Sequence, residues 1–82
     1  MGECGTQVAL NGAEVWALVV DMGDRLRVRF ALDDWERLGL REGQRITVRL
    51  PGLEDVWLFV TGVTPLPPIV WVTMGRRVRV AG

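Results

Sequence analysis

Hydrophobic and polar positions alternate along much of this chain. In RLRVRF (25–30) arginine takes every second position, with Leu26, Val28 and Phe30 between. RITVRL (45–50) and RRVRV (76–80) do something similar. A period of two is the signature of a strand with one face buried and one face wet. Three other segments, VWALVV (15–20), VWLFV (56–60) and IVWV (69–72), are apolar at consecutive positions. These read as strands covered on both faces, and in so small a chain the outer cover must be another layer or another subunit.

Turn signals divide these strands. Asn11-Gly12 favours the type I′ turn of a two-residue hairpin and joins TQVAL (6–10) to AEVWALVV (13–20), which places Val8 opposite Val15. The turn MGD (22–24) leads into RLRVRFAL (25–32), so the first three strands form a meander. ALDDWERLGLREG (31–43) breaks the period. Asp33 is a candidate helix cap and Glu36 completes a box-like start. Trp35 and Leu38 share a helical face, Gly39 is a natural left-handed stop, and Leu40 closes it. The predicted helix, near 33–38, is placed to plug one end of a sheet or barrel.

After REG (41–43) come QRITVRL (44–50), a Pro51-Gly52 turn, VWLFVTGV (56–63), and TPLPP (64–68), read as an extended linker because proline cannot donate to a ladder. IVWVTM (69–74) and RRVRVAG (76–82) form a predicted last hairpin about Gly75. The expectation is a mainly β fold, a small antiparallel barrel or strongly twisted sheet of about seven short strands with one short helix. Residues 1–5 read as a flexible leader and 6–82 as a single β domain.

Composition narrows the function. The chain has 82 residues, 49% of them hydrophobic and 24% charged, a globular composition that a single modest core can serve. It contains no His, Ser, Lys or Tyr. That removes the Ser-His triad, the commonest general base and metal ligand, and lysine chemistry. The one cysteine, Cys4, makes no internal disulfide and no zinc site alone. Asp33 and Asp34 are adjacent at a helix start and do not face each other, so they are poor paired catalytic carboxylates. The expectation is a non-enzyme with no catalytic residues, no metal and no cofactor. MGECGT (1–6) fits the short myristoylation pattern, but no polybasic run follows it to hold a membrane. No apolar run approaches the roughly 20 residues of a spanning helix, and no secretory segment is evident. A cytoplasmic protein is expected. Arginine without lysine suits a GC-rich genome, and scarce Asn and Gln suit a thermophilic source.

Ten arginines balance ten Asp and Glu, so the net charge is zero. The two signs are nonetheless segregated. Arg25, Arg27 and Arg29 share one face of a strand, Arg45 and Arg49 one face of another, and Arg77 and Arg79 one face of the last. Carboxylates fall mostly in turns and on the helix. If these strands adjoin, they make a basic surface suited to nucleic-acid phosphates or an anion. The plainer reading is a solvated face whose guanidiniums reach water or loop carboxylates. Trp16, Trp57, Trp71 and Phe59, on the doubly apolar strands, are the candidate interface of a homo-oligomer. The primary expectation is thus a homo-oligomeric binding or assembly module. A nucleic-acid-binding or transcription-regulating protein is the second.

The segment RVRFALDDWERLGLREGQRITVRLPGLEDVWLF (27–59) resembles the Mop/TOBE domain, a small oligonucleotide-binding-like barrel found in molybdate-binding proteins and transport ATPases. The resemblance rests on Val28–Phe30, Trp35–Leu38, Leu38-Gly39-Leu40, Gly43, Ile46–Leu50 and Val56–Leu58. It implies a small barrel and, as a third function, oxyanion binding. Where the oxyanion-binding members typically offer a serine, this chain has Asp34, whose charge repels an anion. LGLREGQRI (38–46) also resembles the AbrB/MazE swapped hairpin, a dimeric DNA-binding fold, with Ala31 and Trp35 where that family usually has Pro and Arg. This second resemblance implies Arg25, Arg27 and Arg29 as DNA-facing residues.

Overall fold

The computed structural model describes residues 5–76. Six strands, β1 (Thr6–Leu10), β2 (Ala13–Asp21), β3 (Arg25–Ala31), β4 (Arg45–Arg49), β5 (Val56–Leu66) and β6 (Ile69–Gly75), close into an antiparallel barrel in the order β1-β2-β3-β6-β5-β4. Two three-stranded meanders make it up, β1–β3 and β4–β6. The helix α1 (Leu32–Leu38) connects them. They join along two seams, β3 with β6 and β1 with β4. The seventh predicted strand, 76–82, lies outside the described residues apart from Arg76. No helix among the described residues is long and apolar enough to cross a membrane.

The alternation decides what goes inside. Val8 and Leu10, Val15 and Ala17, Val28 and Phe30, Ile46 and Val48, Leu58 and Val60, and Val70, Val72 and Met74 all point inward and are buried. Every strand contributes, and mainly β-branched side chains fill the narrow interior. The Asn11-Gly12 turn has φ of 54° and 87°, as a type I′ turn requires, and Val8 does sit opposite Val15.

Two local expectations are corrected. TPLPP is not a linker. Its first three residues complete β5, pairing Thr64↔Trp71, Pro65↔Val70 and Leu66↔Ile69, and cis-joined Pro67-Pro68 form the hairpin turn. The ladder reaches that far because β5 shifts register between Val60 and Gly62. Thr61 is the extra residue, and its hydroxyl donates to the Thr73 carbonyl at 3.2 Å. The shift moves the inward phase from Leu58 and Val60 to Val63; VWLFV lies before it and keeps one phase, with Trp57 and Phe59 on the outer wall.

The helix starts one residue early and Asp33 does not cap it. Ala31 is the N-cap, with no side-chain bond, and the Leu32 N–H donates instead to the Pro68 carbonyl at 3.0 Å. A backbone carbonyl from the β5–β6 turn thus satisfies one of the four N–H groups that a helix start leaves without an intrahelical partner. Asp33 and Asp34 remain in the first turn, where the helix dipole favours negative charge. Gly39 stops the helix at φ 67°, as predicted, and Leu40 is buried. Leu32, Trp35 and Leu38 pack on the core beside β3 and β6, with the Trp35 ring 6.4 Å from that of Phe30, and α1 covers one end of the barrel.

Candidate interaction surfaces of the barrel wall

The interior carries no polar or charged side chain among the described residues. Nor does any group of three or more metal-ligating side chains occur among them. The described charged and aromatic candidates lie on the wall.

Arg25, Arg27 and Arg29 project outward from β3, and Arg45 and Arg49 from β4, as the period of two requires. The two rows do not adjoin. β6 and β5 lie between them, so the condition for one continuous arginine surface, that these strands adjoin, is not met by β3 and β4. Three strand spacings set the rows about 14 Å apart around the wall. Between them the outward residues are Trp71 and Thr73 on β6 and Phe59, Gly62 and Thr64 on β5, in the registers Arg29↔Trp71↔Thr64 and Arg27↔Thr73↔Gly62. A third register line runs Arg25↔Gly75↔Phe59↔Arg45 and ends on an arginine at each side. Arg77 and Arg79 lie outside the described residues.

The guanidiniums divide by partner. Arg25 pairs with its neighbour Asp24 at 3.3 Å, the loop-carboxylate arrangement of a plain solvated face. Arg27 lies over the Trp71 ring at 4.6 Å, and Arg29 approaches the same ring at 5.8 Å. Arg45 lies over the Trp57 ring at 4.3 Å. A stacked guanidinium keeps its N–H edges and its charge available, which a carboxylate partner would neutralise. Arg49 is on the far side of β4, level with Ala9 and lining a shallow recess with Gln7 and Glu14.

The aromatic interface candidates are likewise dispersed. Trp71 and Phe59 are half-buried between the arginine rows, and Trp57, 57% exposed, stands beside Arg45. Trp16, 63% exposed, is on β2, two strands from Trp71 and across β1 and β4 from Trp57. These rings are neither one patch nor one core. The sequence reading missed what accompanies Trp16. Leu18 and Val20 follow it on the outer face of β2, and Met22 continues the row past the strand's end. The signal was present in the even positions of VWALVVDM, but burial was read there on both faces.

The barrel end opposite α1 is an open depression with Leu26, Leu50, Leu58 and Met74 beneath Asp21, Asp24 and Arg25. In comparisons with known proteins, the chain matches no family model, no curated protein and no solved structure. What the fold and wall define is a class, a small closed β-barrel with an apolar row on one side and an arginine-flanked aromatic face on another.

Proposed function

We propose that this chain is a non-enzymatic binding and assembly module that self-associates, one barrel docking on a second copy through the outer row of β2. The observation that supports this most is Trp16, 63% exposed at the head of an apolar row on a barrel whose interior is already full. A large exposed indole in such a row is a common mark of an interaction surface. The occupant is another copy because the row of Trp16, Leu18 and Val20 lies along one strand and meets its own likeness when a second barrel is turned about a two-fold axis. β2 against β2 in antiparallel order is self-complementary in this way.

Light scattering tests the proposal. The wild type should show a mass near twice the 9.2 kDa of one chain. Trp16→Glu, or Val20→Arg on the same row, should return a folded 9.2 kDa species. A wild type that stays monomeric at every concentration contradicts the reading.

The oxyanion reading has weaker support. Asp33 and Asp34 put two carboxylates in the first turn of the only helix among the described residues. That is where an anion would otherwise be drawn.

A further inference from the structure

We infer that the wall formed by β3, β6, β5 and β4 is a binding face for single-stranded nucleic acid, separate from the β2 row. The four strands are contiguous in the barrel and carry no Asp or Glu; Arg27, Arg29 and Arg45 stand on this face, while Arg25 pairs with Asp24 at one edge and Arg49 lies beyond the other, in the recess with Glu14. The strand carboxylates are Glu14 and Asp21, both on β2, and the other described ones sit in turns, loops and α1. A chain of zero net charge thus keeps its strand carboxylates off this wall, which suits a polyanion.

The distribution of aromatic rings favours single strands over other polyanions. Trp71, Phe59 and Trp57 stand among the arginines of this face. Arg27 and Arg45 are held against indoles at 4.6 and 4.3 Å, so the cations are positioned without being neutralised. Between the rows the wall is low, with Gly62 and Thr73 opposite each other. A Cβ built on Gly62 would meet only Thr73, at 3.7 Å, so nothing bulky fills this part of the wall. Flanking cations that track a phosphate backbone, with rings on which bases stack, are the working parts of sequence-tolerant single-strand binding. A duplex keeps its base faces stacked inside and has no use for the rings.

The test is a titration of the full chain with an oligothymidine of about 12 nucleotides, read by tryptophan fluorescence and by anisotropy of a labelled strand. Heparin, a polyanion without bases, and a duplex of the same length are the comparison ligands. The expected result is quenching on oligothymidine binding. About three phosphate contacts should weaken affinity about twenty-fold from roughly 50 to 200 mM salt. Arg27→Ala with Arg45→Ala should flatten that salt slope, and Trp57→Ala should weaken the oligonucleotide more than heparin. Trp16→Glu, which tests self-association, should leave the titration unchanged. No binding at low salt, equal binding of heparin and oligothymidine, or indifference to the arginine pair each overturns the assignment.

Discussion

Arg45 stacks on Trp57 diagonally across the β4–β5 ladder, its guanidinium carbon 4.3 Å from the ring centroid. The register partners are Arg45↔Phe59 and Thr47↔Trp57, so the contact spans one step of the strand. Such diagonal pairs lie within reach of long and aromatic side chains. An exposed cation–π contact contributes about 0.5–1 kcal/mol. A double-mutant cycle in urea, with Arg45→Ala, Trp57→Ala and both, should give a coupling energy of that size. Additive single effects would show that the two side chains ignore each other in solution.

The two ends of α1 should respond very differently to substitution. Gly39 holds φ 67°, where an L side chain costs about 1–2 kcal/mol, so Gly39→Ala should lower stability by that amount. Asp33 makes no capping bond, and Asp33→Ala should cost only a few tenths of a kcal/mol through the helix dipole. A loss of about 1 kcal/mol at Asp33, the usual cost of removing a capping side chain, would contradict the Ala31 cap. Chemical denaturation of both variants decides this.

The contrast shows where the sequence was legible. The Asn11-Gly12 hairpin, the Gly39 stop and the inward set Val28, Phe30, Ile46 and Val48 follow from local chemistry, because φ preference and period two need no knowledge of distant partners. The helix start depends on the bond from the Leu32 N–H to the Pro68 carbonyl, far away in sequence and adjacent only once β3 and β6 pair. The phase change at Thr61 is likewise a property of the β5–β6 ladder, not of β5 alone. Strand order had no local signal, so the separation of the arginine rows and the isolation of Trp16 appear only with the closed barrel.

The β1–β4 seam should be the first part of the barrel to open. It is formed by Ala9↔Arg49 and Leu10↔Val48, with the Asn11 N–H donating to the Thr47 carbonyl at 2.7 Å. The other seam runs without a break from Arg25↔Gly75 to Ala31↔Ile69. Local opening follows the regions with least shared ladder and packing. Native-state hydrogen exchange should therefore find the Ala9 and Asn11 amides, which face β4, less protected than those of Val28 and Val72. Equal protection at the two seams would rule out a preferred opening line.

Self-association through β2 meets its most direct test in the indole N–H signals of a ¹⁵N-labelled sample followed across a dilution series. Trp16 stands in the proposed contact, whereas Trp35 packs against Phe30 on the core side of α1. The account predicts that the Trp16 resonance, with the backbone amides of Leu18–Asp21, moves progressively on dilution while Trp35 stays fixed. A Trp16 signal that does not move over the whole range, or a dilution response confined to other strands, would contradict it.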